Sequence, residues 1–175
     1  VAKIKNGKYK DFTMTEDERY ELYIAAWLHD CGKVATPPHI VDKSTKLETI
    51  FDRIELIKTR AELLKKDLEI KFLKSQIDGD IADFNKLDYE KEIREIDQDI
   101  KFLSECNIGG EFMKPEDQER VQIIGLKKVI MNGIEKNLLT DEEIRNLNIK
   151  KGTLLPEERE IINDHIVITI EMLEQ

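Results

Sequence analysis

Residues 54–76 read IELIKTRAELLKKDLEIKFLKSQ, and their spacing decides the fold class. Ile54, Ile57, Ala61, Leu64 and Leu68 step three and four residues at a time, which is heptad spacing on one face of a helix. Leu56, Leu63 and Ile70 form a second stripe, seven residues apart. The helical pattern starts near Lys46 and breaks at Asp78-Gly79-Asp80, after which Tyr89, Ile93, Ile96, Ile100 and Leu103 resume the same stepping. Two such helices joined by a short turn fold back as an antiparallel hairpin. The simpler arrangement packs that hairpin on its own domain. The alternative is a coiled-coil arm that meets a partner or a second copy of the chain.

Working outward, the flanks are also helical. Thr15-x-x-Glu18 is a capping box, in which hydroxyl and carboxylate satisfy the free N–H groups at a helix start. Its helix carries Tyr20, Tyr23, Ile24, Trp27 and Leu28 and is expected to end near Gly32. Pro37-Pro38 cannot continue it, since Pro38 lacks an N–H and restricts Pro37. Beyond the hairpin, Asn107-Ile108-Gly109-Gly110 marks a turn. Pro115-Glu116-Asp117 then suits a helix first turn, with that helix expected to carry Val121, Ile123, Ile124, Val129 and Ile130. Thr140-x-x-Glu143 caps a short helix, and Pro156-Glu157-Glu158 opens one running through Ile161, Ile162, His165, Thr169 and Met172. The stretch 166–170 alternates weakly and is assigned to that helix. The fold expected is all-α.

The whole composition agrees. The 175 residues suffice for a real core without disulfide staples, and 37% of them are charged against a usual share of about 25%. Beside 40% hydrophobic residues, this describes helices with one dry face and one charged face. A net charge of −9 disfavours duplex nucleic acid, which needs a clustered basic surface, although local cations or a metal can still attract an anionic ligand. Cys31 and Cys106 form no CxxC pair, so a reducing, cytoplasmic setting is the simplest expectation. No apolar run approaches the roughly 18 residues of a membrane span, and no signal peptide is evident. Starting at Val1 without a methionine, and stopping inside a helical pattern, the chain reads as a piece of a longer protein.

The chemistry concentrates at one end of the first helix. His29-Asp30 is followed by Cys31-Gly32-Lys33, placing one imidazole and one carboxylate beside a single point. Imidazole suits iron, zinc or manganese, and a carboxylate can bridge two ions. Lys33 can set an ammonium on a phosphate, or simply oppose the helix dipole. His165 lies among Ile161, Ile162 and Thr169, where a histidine is more often a satisfied core residue than a ligand. His39, in the proline-bound turn, is expected to be exposed and inert.

These residues carry a resemblance. Ala25-Ala26-Trp27-Leu28-His29-Asp30-Cys31-Gly32-Lys33-Val34, with Pro37, Ile40, Val41 and Lys43 after it, resembles the HD-GYP pattern HDxGK(I/V)xxPxxILxK. The stretch from Gly152 to Ile162, with Leu154, Glu157 and Glu158, and then His165, Met172 and Leu173, is similar to that family's next block. In the usual member the two blocks nearly abut. Here the hairpin resembles an insertion, dividing the chain into residues 1–45 and 151–175 of an HD-type helical bundle and 46–150 of inserted helices.

HD-GYP proteins are bacterial, all-helical metallo-phosphodiesterases of signal transduction that hydrolyse cyclic di-GMP with two or three iron or manganese ions. The resemblance implies His29, Asp30 and His165 as metal ligands, with Asp30 bridging, and Lys33 as the contact to the scissile phosphate. It implies a cyclic dinucleotide substrate in the cytoplasm, while the acidic charge and the lack of a long apolar run are the grounds for expecting no duplex nucleic acid and no membrane contact by this segment. The family's upstream metal positions, its later His-His pair and its Gly-Tyr-Pro motif do not occur here, and Pro38 stands where an Asp is common. The fragment by itself is therefore expected to bind metal weakly, with an incomplete ligand set, and to lack turnover. The rival expectation is a non-catalytic helical signalling or dimerisation module with a remnant His-Asp pair.

Overall fold

A computed structural model of the protein describes residues 6–8, 10–78, 85–110 and 112–174. In chain order its helices are α1 (Glu16–Leu28), a 3-10 turn (Cys31–Ala35), α2 (Pro38–Val41), α3 (Ile54–Asp78), α4 (Lys86–Asn107) and α5 (Pro115–Gly125). Strands β1 (Lys128–Met131) and β2 (Ile134–Asn137) follow, then α6 (Asp141–Leu147), α7 (Pro156–Asn163) and α8 (His165–Leu173). The chain divides into two compact units, one discontinuous (Val1–Pro37 with Glu158–Gln175) and one continuous (Pro38–Glu157).

In the continuous unit, α3 and α4 run antiparallel. Asp52 accepts hydrogen bonds from the Asn107 amide, Lys65 Nζ lies 2.6 Å from Asp97 Oδ1, and the Phe72 and Tyr89 rings stack with centroids 5.0 Å apart. As one partner's number rises, the other's falls. The turn at Gly79-Asp80 lies outside the described residues. Ile57, Ala61, Ile96 and Leu103 from the hairpin join Val121, Ile124, Leu138, Leu139 and Leu147 in one buried cluster. Burying each large member contributes about 1.5–3 kcal/mol, so this cluster is what holds the unit together.

The hairpin's first helix begins at Ile54, later than the expected start near Lys46. Polar tethers hold the intervening segment in a non-helical path. Lys46 N–H donates to the Asn107 carbonyl at 2.9 Å, Leu47 N–H to Asn107 Oδ1 at 2.8 Å, and Asp52 Oδ1 accepts from Ile54 N–H at 3.0 Å. The Lys46 ammonium is buried and donates to the Leu147 carbonyl at 2.8 Å, at the end of α6. Burial pushes its pKa below the ordinary lysine value, while the nearby Cys106 thiol opposes that shift. Arg60 and Glu143 form a second buried tie, at 2.5 Å, between α3 and α6.

The expectation of an all-α fold holds in the main, with one small two-stranded sheet among the described residues as the exception. The protein is mostly helical, but the helix expected to carry Val129 and Ile130 stops at Gly125, and those residues form β1. β1 pairs antiparallel with β2, Val129 opposite Lys136 and Ile130 opposite Glu135. The connecting residues Asn132 and Gly133 both have positive φ, 54° and 73°. Such a pair closes a two-residue hairpin whose twist matches the strands. The β-branched residues ahead of it pack more readily on a pleated surface than in a helix. Val129 is fully buried and the other β1 side chains are wholly or partly exposed, an alternation that helical spacing had hidden.

In the discontinuous unit, the expected capping box forms. Glu18 N–H donates to Thr15 Oγ1 at 3.2 Å, and Thr15 N–H donates to Glu18 Oε2 at 2.8 Å. None of the residues of α1 is buried, and Trp27 is 71% exposed. α1 ends at Leu28, short of the expected end near Gly32, and the 3-10 turn takes up Gly32 and Lys33. Residues 166–170 are helical, within α8, but the single helix expected from Pro156 through Met172 is two, since a turn at Asp164 separates α7 from α8. Helix α8 lies against the 3-10 turn. No helix among the described residues is long and apolar enough to cross a membrane.

Candidate metal centre

The end of α1 and the start of α8 bring three donors together. The His29 N–H closes the last turn of α1 on the Ala25 carbonyl at 2.9 Å, and the chain then turns sharply at Asp30. His165 is the first residue of α8. The Asp30 carboxylate sits between the two rings, with His29 Nε2 3.2 Å from Oδ2 and His165 Nε2 3.3 Å from Oδ1. His165 is the more enclosed ring, its side chain 14% exposed against 66% for His29.

Each ring's other nitrogen is committed to the backbone. His29 Nδ1 donates to the Ala26 carbonyl at 2.7 Å, and His165 Nδ1 donates to the Ile162 carbonyl. A carbonyl can only accept, so Nδ1 carries the proton in both rings, and in a neutral ring Nε2 is left with its lone pair. Both lone pairs then face carboxylate oxygens, an arrangement that is repulsive without positive charge among them. Protonation of the rings supplies that charge, and so does a shared cation. A backbone carbonyl holding Nδ1–H is also the usual support for a histidine that ligates through Nε2.

The separations suit an ion as well. Two ligand atoms about 2.0–2.2 Å from one ion, at angles near tetrahedral or square, lie roughly 3.0–3.5 Å from each other. The Nε2–carboxylate distances fall within that span. The set is open, with the two imidazoles on opposite oxygens, and among the described residues no group of three or more His, Cys, Asp or Glu is gathered closely enough to hold a metal ion.

Lys33 already brings positive charge. Its Nζ donates to Asp30 Oδ2 at 2.7 Å, from the next turn of the chain. That hydrogen bond holds the Asp30 carboxyl below the usual carboxylate range. Desolvation opposes the shift, and the charges of His29, Lys33 and His165 add to it.

Close backbone contact sets the distance between the two segments. Gly32 is buried, and a Cβ added to it would lie 2.2 Å from the His165 carbonyl oxygen and 2.7 Å from Thr169 N. Gly32 N–H donates to Thr169 Oγ1 at 2.9 Å. Gly32 was expected to stop a helix. Its actual role is to leave room for α8.

The four residues singled out in the sequence, His29, Asp30, Lys33 and His165, therefore lie together, and His165 is not sealed among apolar side chains. His39 is exposed on α2, in the other unit. Thr169 carried no role in the sequence reading. Its only signal was a lone hydroxyl in the apolar run 166–170, one helical turn after His165. A cavity of about 640 Å³ lies in the other unit, where Leu64, Leu68 and Ile96 sit among lysines and carboxylates. Its described lining holds no histidine or cysteine.

No family model, curated protein or solved structure matches this chain. The site's own geometry therefore carries the functional reading.

Proposed function

We propose that His29, Asp30 and His165 are part of the metal centre of an HD-GYP-type phosphohydrolase, whose parent protein acts on a cyclic dinucleotide in signalling. The observation behind this reading is the Asp30 carboxylate flanked by two Nε2 atoms whose rings are anchored through Nδ1. In this reading residues 46–150 are an insertion in an HD-type bundle formed by the flanking segments.

Iron or manganese, when bound, supplies Lewis acidity for phosphoester hydrolysis. The chain's own residues do the rest. The Ala26 and Ile162 carbonyls hold the two rings through Nδ1 so that each Nε2 faces Asp30, where both would serve as ligands. Asp30, with one oxygen toward each imidazole, would be a shared ligand of the centre. Lys33, which donates to Asp30 Oδ2, would be the residue to contact a substrate phosphate oxygen. Three protein donors leave coordination positions open, so affinity in this chain is weak and turnover absent.

Manganese titration of the chain tests this directly. Trp27 is the single tryptophan, two residues from His29, and paramagnetic Mn²⁺ quenches its fluorescence on binding nearby. His29→Ala and His165→Ala are each expected to weaken binding at least tenfold, order-of-magnitude effects for loss of a ligand or its support. Equal binding by the wild type and both variants would defeat the proposal.

A second reading has one observation of its own. Leu56, Leu63, Ile70 and Ile77 are all exposed on α3 at strict sevenfold spacing. A strict heptad stripe stays aligned with a supercoiled partner helix. In this reading the continuous unit is a helical module through which two copies of the chain associate.

A further inference from the structure

We infer that Thr169 is the positioning residue of the candidate centre, its hydroxyl clamping the backbone on both sides of Asp30 and holding that carboxylate against His165. The inference rests on the metal-centre reading above and concerns a residue with no part in ligation.

Three observations carry it. First, Thr169 is buried, 6% exposed, in an α8 whose other residues are exposed or only partly buried. A buried hydroxyl must find partners. Second, those partners bracket Asp30 in the chain. Thr169 Oγ1 accepts the Gly32 N–H at 2.9 Å, and lies 3.5 Å from the His29 carbonyl oxygen, to which it donates. One atom thus reads the backbone just before Asp30 and two residues after it. Third, Thr169 follows His165 by four residues on the same helix, so both side chains stand on one face of α8. Whatever fixes Thr169 against the turn also fixes His165 Nε2 at its 3.3 Å from Asp30 Oδ1.

The side chain is suited to this. A β-branched residue in a helix has few χ1 choices, so the hydroxyl direction is set by the backbone of α8. Serine keeps the hydroxyl with more rotational freedom. Valine keeps the shape and loses both hydrogen bonds, leaving the buried Gly32 N–H without its acceptor.

The experiment is Mn²⁺ titration, read by Trp27 quenching and by the loss of free Mn²⁺ signal in electron paramagnetic resonance. It is run on the complete chain, well below the melting temperature of each variant. Thr169→Val is expected to weaken Mn²⁺ binding by about 10- to 100-fold, the usual range for a residue that orients ligands. Thr169→Ser should stay within about threefold of wild type. Thr169→Ala, which cannot overpack the contact, stands in if Thr169→Val fails to fold.

A merely structural threonine would lower the melting temperature in Thr169→Val and leave the folded protein's Mn²⁺ affinity unchanged, and that result overturns the inference. Equal weakening by Thr169→Ser and Thr169→Val also overturns it, because the hydroxyl would then not be the operative group. Failure of the underlying reading looks different. Wild type itself would not bind Mn²⁺, or His29→Ala would bind as tightly as wild type.

Discussion

Replacing Gly32 by alanine tests how the centre is assembled. The added methyl carbon would stand 2.2 Å from the His165 carbonyl oxygen and 2.7 Å from both Thr169 N and Thr169 Oγ1, where ordinary contact is 3.4–4 Å. Two of those atoms are backbone, so no rotamer change clears the space. The 3-10 turn and α8 must separate by about 1 Å. Overpacking of this kind costs about 1–3 kcal/mol. For a chain of this size each kcal/mol lowers the melting temperature by about 2–4 °C.

The same displacement lengthens the His165 Nε2–Asp30 Oδ1 separation from 3.3 Å to beyond about 4 Å, outside hydrogen-bond reach. The assay is thermal unfolding followed by circular dichroism, with Mn²⁺ titration of the folded variant beside it. Both stability and Mn²⁺ affinity should fall. Adding Thr169→Ala to Gly32→Ala should not restore either, because the closest clash is with a carbonyl. A Gly32→Ala protein with wild-type melting and wild-type Mn²⁺ binding would refute the packing argument outright.

Three other outcomes follow from named contacts. Asp30 should titrate below the ordinary aspartate value of about 3.9, because Lys33 donates to its carboxylate. A group shifted down on folding contributes stability above its unfolded pKa and loses it as pH falls through its folded pKa. The Lys33–Asp30 pair should thus survive to pH below about 3.9, and Lys33→Met should return the midpoint toward that value in a carboxyl NMR titration. Arg60→Met strands the buried Glu143 carboxylate and should cost about 3–5 kcal/mol in denaturant unfolding. Adding Glu143→Gln should recover part of that loss, since the amide oxygen can still accept the Thr140 N–H. For the helical-module reading, sedimentation should show a dimer that Leu63→Lys with Ile70→Glu converts to monomer. Both sites are exposed on α3, so the fold should survive, and an unchanged sedimentation coefficient would end that reading.

Much of the helical framework was legible in short windows. The two capping boxes at Thr15 and Thr140, the proline at the head of α5, and the apolar stepping of α3 and α4 each depend on residues within a few turns of one another. The β-hairpin was misread because Val121 to Ile130 also fits helical spacing. The decisive signal was the Asn132-Gly133 pair, which adopts positive φ at both positions. The late start of α3 was not legible at all, since it depends on Asn107, 60 positions after Leu47.

What the sequence alone determined was the mostly helical character, the two capping boxes, the apolar stepping of α3 and α4, and a neighbouring imidazole and carboxylate at the end of α1. Tertiary structure decided that His165 faces Asp30, that Gly32 leaves room for the α8 backbone, and that Thr169 closes the gap from 137 positions away. The physical reason is range. Periodicity and capping act through hydrogen bonds and side-chain spacing within a turn or two of chain. A site joining two distant segments depends on steric fit between their backbones, which no local window contains.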